Sequence, residues 1–252
     1  MLLEDLTSRK AADYVGKIDV LLLPVGTIEA HGPHCSVMAD VLVPQKVAQE
    51  VEKIMGDKLL LVPIIPYGHS WHLRDRPGSH DVPGNVFAEY VYQVIKGFRS
   101  WGIKYVLVLN GHLGNLEMLH EAAERACDAG IKTVVLNWWS GDYMNAIKDV
   151  VSETGSHAGE TETSMLWVVG DRFVDKASIP TKENAYTFPT AARNDDIFEK
   201  EINIAMFPQA YAGRPFDASP EKGKVLMERA VKQIVEVVKA LQSGKLLSKA
   251  GS

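Results

Sequence analysis

The chain has 252 residues, 46% of them hydrophobic and 23% charged, which suits a single α/β domain that needs no disulfide or metal to build its core. With 27 basic against 32 acidic side chains the net charge is −5, which argues against nucleic acid or an anionic membrane as the main partner. No apolar run reaches the roughly 18 residues of a membrane span, the acidic start MLLEDLTSRK lacks the pattern of a secretory signal, and two cysteines suit a reducing cytosol.

In chain order, apolar stretches at Val20–Val25, Leu59–Ile65, Tyr105–Leu109 and Lys132–Trp138 predict strands. Their unbroken apolar character fits parallel strands buried on both faces. Between them Pro44–Met55, Asn85–Trp101 and Leu116–Ala129 predict helices, and Pro220–Leu241 a closing helix. Strand alternating with helix implies right-handed crossovers and a mainly parallel sheet between two helix layers, a three-layer α/β/α sandwich. Segment Ile179–Pro215, with four prolines, reads as an irregular excursion or a subunit contact. With no repeat or linker in sight, residues 1–252 read as one domain.

The residues after each strand are richer than plain loops require. Gly26–His34 follows the first strand and carries Glu29 and His31, with Asp40 just beyond. The second leads to His69, Ser70, Trp71 and His72, then Arg74 and Arg76. The third leads to Asn110-Gly111-His112-Leu113-Gly114-Asn115, and the fourth to Trp138-Trp139. Ser156-His157-Ala158-Gly159-Glu160 opens a further helical run. In open α/β sheets ligands sit in the crevice at the carboxyl ends of the strands. Glu29, His31, Asp40, His112 and Glu160 offer two imidazoles and three carboxylates, a mixture suited to Zn²⁺, Mn²⁺ or Fe²⁺ rather than Ca²⁺. Five ligands exceed the needs of one catalytic zinc and fit two ions about 3.5–4 Å apart sharing a carboxylate. Such a pair acidifies a water and polarises a carbonyl, the two needs of amide hydrolysis. His34 and His120 read as surface or satisfied polar side chains, Met165 and Trp167 as core, and Cys35 and Cys127 as inert thiols. A non-catalytic reading takes GHLGN as a phosphate- or nucleotide-binding turn, although it lacks the glycine spacing and lysine of a P-loop.

LLLPVGTIEAHGPH with Asp40, PYGHS, LVLNGHLGN, SHAGETETS and AGRPFDASPEKG together resemble the creatininase (creatinine amidohydrolase) family. The resemblance implies an α/β/α sandwich holding two divalent cations, zinc first and manganese or iron as alternatives. It implies hydrolysis of non-peptide C–N bonds in small molecules and a homo-oligomer, often a hexamer. Carried over by motif, Glu29, Asp40 and His112 would hold one ion and His31, Asp40 and Glu160 the other, with His157 carrying the proton to the leaving nitrogen. Where creatininase proper has Tyr-Glu after its GH motif, this chain has Leu113-Gly114, which points away from creatinine and leaves Glu160 as the substitute ligand. His69, His72, Arg74, Arg76, Trp138 and Trp139 are the expected substrate contacts. The two arginines suit an acidic or polyhydroxylated substrate. A family branch that hydrolyses a C–C bond in oxidised inositols supplies the alternative reaction.

Overall fold

The computed structural model describes residues 1–154, 156–186 and 208–244. After helix α1 (Ser8–Tyr14) come β1 (Val20–Val25), α2 (Ala39–Met55), β2 (Leu59–Leu61), α3 (Gly84–Gly97), β3 (Tyr105–Asn110), α4 (Leu116–Asp128) and β4 (Thr133–Asn137). The short α5 (Tyr143–Ala146), then α6 (Glu160–Val169) and α7 (Pro220–Gln242) complete the described elements. The four strands form one parallel sheet in the order β2-β1-β3-β4. Strands β1 and β3 leave in opposite directions to meet β2 and β4, so the strand order reverses between them, where a crevice opens.

Alternation along β1 and β3 divides the core. Val20, Leu22, Leu107 and Leu109 face α2, α6 and α7, while Leu21, Leu23, Val106 and Val108 face α3 and α4. Both β1 and β3 are buried throughout, as their continuous apolar character requires. The predicted three-layer α/β/α arrangement with a parallel sheet is the one observed. None of the described helices is long and apolar enough to cross a membrane.

Three boundaries differ from expectation by more than one residue. The regular β2 ladder ends at Leu61; the Val62 N–H still donates to Leu22 O at 3.1 Å, but an extra residue around Pro63 bulges the strand, and the next bond to β1 comes from the Ile65 N–H to Pro24 O at 3.1 Å. Helix α3 stops at Gly97 and tightens into a 3₁₀ turn at Arg99–Trp101. Helix α2 starts at Ala39, five residues before Pro44, which puts Asp40 in its first turn. Pro44 then removes the helical hydrogen bond that the Asp40 carbonyl would accept. That carbonyl lies against Gly26 and Gly111, where any Cβ would run into it. Of the predicted excursion, only 179–186 and 208–215 fall among the described residues.

The Tyr143 ring is fully buried against Trp138, with ring centroids 5.6 Å apart, and its hydroxyl has no hydrogen-bond partner among the described residues. Tyr143→Phe is therefore expected to stabilise the fold by roughly 1 kcal/mol, since it removes an unsatisfied polar group without opening a large cavity. Chemical denaturation checks this, and a loss of stability would mean that the hydroxyl has a partner in solution.

Candidate metal centre

Five side chains that could ligate a metal converge where β1 and β3 end. Glu29 and His31 come from the loop after β1, Asp40 from the first turn of α2, His112 from the turn after β3, and Glu162 from the first turn of α6. Three triples have ligand atoms within 4.8 Å of one another: Glu29–Asp40–His112, His31–Asp40–Glu162 and Glu29–His31–His157. Asp40 is divided between the first two. Its Oδ2 lies 2.8 Å from His112 Nδ1, which is also 3.4 Å from Glu29 Oε1. Its Oδ1 lies 3.1 Å from His31 Nε2, which is also 3.7 Å from Glu162 Oε2.

Tautomers follow from the backbone. A carbonyl oxygen can only accept, so His31 Nδ1, 3.0 Å from Glu29 O, carries the proton of the neutral ring and Nε2 carries the lone pair. Nε2 is buried, and among the described residues the one acceptor in close reach is Asp40 Oδ1, 3.1 Å away. Two acceptors facing each other in the interior require a cation between them, either a proton or a metal. The field agrees. Burial alone would push His31 down, but Asp40, Glu162 and Glu29 push it up to about 10. Burial likewise opposes the charge on His112, and Glu29 and Asp40 raise it to about 9. Asp40 stays well below the usual carboxylate range despite its burial, because both histidines favour its charge. Glu162 is pushed up to about 7, first by burial and then by Asp40 and Glu29, with His31 opposing. Two imidazoles and three crowded carboxylates fit divalent transition metals.

His157 lies beside the centre. Its Nε2 is 3.0 Å from Ala30 O and so bears the proton, which leaves Nδ1 as the basic nitrogen, 3.7 Å from Glu29 Oε1. Its ring lies over His31, centroids 4.4 Å apart. Burial and then the neighbouring His31 push it down to about 4, so the ring is neutral. The backbone around it is fixed: His157 and Ala212 exchange hydrogen bonds at 3.0 and 2.8 Å, and Ala158 takes a left-handed φ of 48°. Strain of that kind persists only where the surroundings hold it. Here the Ala158 N–H donates to Glu162 Oε2 at 2.6 Å.

Four of the five predicted ligands meet; Glu160 does not. It is fully buried on the other side of α6, where its carboxylate pairs with Lys222 Nζ and accepts from the Ser152 N–H at 2.7 Å. Glu162 lies where Glu160 was expected, its Oε2 3.7 Å from His31 Nε2. Residues two apart on a helix point in nearly opposite directions, so only one of the pair could reach the crevice. Glutamate at the third helical position, reaching back to N–H groups ahead of the helix, was the available signal for Glu162. Ser70 was also missed: its hydroxyl donates to Glu29 Oε2 at 2.6 Å, and its N–H donates to Asp81 Oδ1 at 2.9 Å.

The expected substrate contacts scatter. His72 is partly buried; burial lowers its pKa, with Glu29 and His112 near enough to be felt. His69 Nδ1 sits 3.0 Å from both Asp81 Oδ1 and Val82 O. Arg74 is exposed, with its guanidinium 5.4 Å from the Trp71 ring centroid, and Arg76 is in the same loop. Trp138 is corrected to core: it is 3% exposed and packed on Tyr143. Trp139 is partly buried against the same apolar cluster. The chain after β4 turns toward the apolar cluster shared with α5, α6 and α7. Of the side chains expected to be structural, His34 is buried and bonded to Thr163 Oγ1 at 3.0 Å, and Met165 is core. Cys35 is buried, its thiol pushed up to about 12 by that burial, while Cys127 is exposed.

Comparison with known proteins gives concordant results. The creatininase family model, described as creatinine amidohydrolase, matches residues 4–238. Creatinine amidohydrolase of Pseudomonas putida is 27% identical over 87% of this chain and 88% of its own. The 3-dehydro-scyllo-inosose hydrolase of Thermotoga maritima is 25% identical over 96% of this chain and 85% of its own. A solved mutant creatininase of the zinc–zinc type superposes with a TM-score of 0.79 at 26% identity, over 94% of this chain and 96% of that one.

Proposed function

This chain belongs to the creatininase family of metal-dependent hydrolases, and on that premise we propose that it holds two divalent cations bridged by Asp40 and hydrolyses a non-peptide C–N bond, in a cyclic amide or formamide, of a small polar substrate. The observation that carries this reading is the division of Asp40, with one carboxylate oxygen toward His112 and Glu29 and the other toward His31 and Glu162. Glu29, Asp40 and His112 would hold one ion, and His31, Asp40 and Glu162 the other. Zinc is the first expectation for both, and manganese or iron would also suit the donors. When bound, the ions acidify water and polarise a carbonyl.

The protein's own groups do the rest. Ser70 holds one oxygen of Glu29, so the other faces His112 and His157. His157 Nδ1 accepts a proton from the attacking water and returns it to the leaving nitrogen, a round trip open to a neutral imidazole with a fixed tautomer. Ala30 O and the pairing with Ala212 keep that ring in place.

Creatinine itself is not the favoured substrate. A Cβ at Gly114 would come 2.5 Å from His112 Nε2 and 2.8 Å from His69 O, so the glutamate of creatininase proper does not fit here. A second reading, hydrolysis of a C–C bond beside a carbonyl in an oxidised inositol, is favoured by the Thermotoga relative and by the polar loop of His69, His72, Arg74 and Arg76. Phosphate binding by the GHLGN turn is disfavoured, because His112 there faces carboxylates that would repel an anion. We read the chain as one catalytic domain of a cytoplasmic homo-oligomer, a hexamer by family habit, and light scattering reads that state directly.

His157→Gln is expected to lower kcat by about 10²–10⁴-fold while both ions remain bound. Turnover is assayed on cyclic amides, formamides and oxidised inositols side by side, with metal counted in the same samples. Loss of metal together with activity would make His157 a ligand rather than a proton carrier.

A further inference from the structure

The turn that presents His112 is fixed by two fully buried side-chain amides, Asn110 and Asn115. Asn110 Nδ2 donates to His112 O at 2.6 Å and to Asn137 Oδ1 at 2.8 Å, and its Oδ1 accepts from the His112 N–H at 3.1 Å. Asn115 Nδ2 donates to Asn110 Oδ1 at 3.3 Å and to Gly26 O at 3.1 Å, and its Oδ1 accepts from the His69 N–H at 2.8 Å. All four amide N–H groups are used, so the network is satisfied and stiff. It ties the ends of β1, β3 and β4 to the loop after β2, and in that loop the residue after His69 is Ser70, which holds Glu29. Gly68 belongs to the same device, since a Cβ there would collide with Asn115 Oδ1.

The other side of the centre is held separately. There His34 Nε2 bonds Thr163 Oγ1, which donates to Ala158 O at 3.2 Å, and Ala158 in turn holds Glu162. We propose that Asn110 and Asn115 are positioning residues for the Glu29–Asp40–His112 half alone, so that the two cation positions can be weakened independently. This rests on the two-cation reading given above.

Calorimetric titration of the metal-free full chain with Mn²⁺ tests it in Asn115→Asp, Gly68→Ala and Thr163→Val. Asn115→Asp keeps the shape but loses both donors, setting an oxygen against Asn110 Oδ1 and Gly26 O; Gly68→Ala keeps the amide but presses its Cβ on both Asn115 and the Gly26 carbonyl, and serves if the first variant does not fold. Both are expected to bind one ion as wild type does and the second about 10–100-fold more weakly, and both to melt lower than wild type in chelator, because one buries an unpaired carboxylate and the other crowds the Gly26 carbonyl. Thr163→Val is expected to weaken the ion on the other side, leaving Asn115→Asp/Thr163→Val with both positions weak. The proposal is overturned if the amide variants bind two ions like wild type, or weaken both equally. A wild-type protein that binds only one ion would defeat the two-cation reading instead; the amides would then be judged by whether that ion weakens in Asn115→Asp.

Discussion

Replacing Asp40 by asparagine is expected to lower kcat by at least about 10³-fold, the scale seen when a charge-stabilising group is removed from a catalytic site, and to abolish tight binding of both cations. Asp40 is the one residue common to the two ligand sets that also contain His112 and Glu162. The amide keeps the shape but supplies one neutral oxygen and an N–H₂ group, which would face either His31 Nε2 or His112 Nδ1 as a competing donor. The backbone should not move. Asp40 lies in the first turn of α2, its carbonyl seated against Gly26 and Gly111. Metal content after dialysis, read beside kcat, checks the result. An asparagine variant that kept two ions would mean that the carboxylate does not bridge.

The second large effect separates two glutamates that differ by two positions. Glu162→Gln is expected to weaken the ion on the His31 side and to cost at least about 10²-fold in kcat. Glu160→Gln is expected to retain both ions and activity within a few-fold while losing about 1–3 kcal/mol of stability, because a fully buried carboxylate gives up its charge opposite Lys222. For a chain of this length each kcal/mol corresponds to roughly 2–4 °C in Tm. Metal analysis and thermal melting of the two variants give opposite patterns. The reverse assignment, with Glu160→Gln losing metal and Glu162→Gln only stability, would restore Glu160 as the ligand.

Local sequence carried most of the fold. The runs Val20–Val25 and Tyr105–Leu109 announce buried parallel strands because every residue in them is buried. Placing Glu29, His31, Asp40 and His112 at strand ends was enough to bring them together, since a parallel sheet collects its carboxyl ends on one edge. Other features depended on partners far away in the chain. Glu160 is turned from the centre by Lys222, 62 residues on, and nothing in AGETET announces that pairing. Trp138 follows a strand just as His112 does, yet the chain after β4 turns into the core against Tyr143, a path that periodicity does not encode. Pro44 obscures the start of α2 because proline is favoured in a first turn; here it sits in the second, and the helical bond it forgoes leaves the Asp40 carbonyl facing Gly26 and Gly111, just past β1 and β3.

Anomalous scattering from crystals of the metal-loaded protein, recorded at the zinc or manganese edge, tests the centre most directly. Two peaks are expected, one among Glu29, Asp40 and His112 and one among His31, Asp40 and Glu162. A single peak, or density at neither side of Asp40, would contradict a bridged pair of cations.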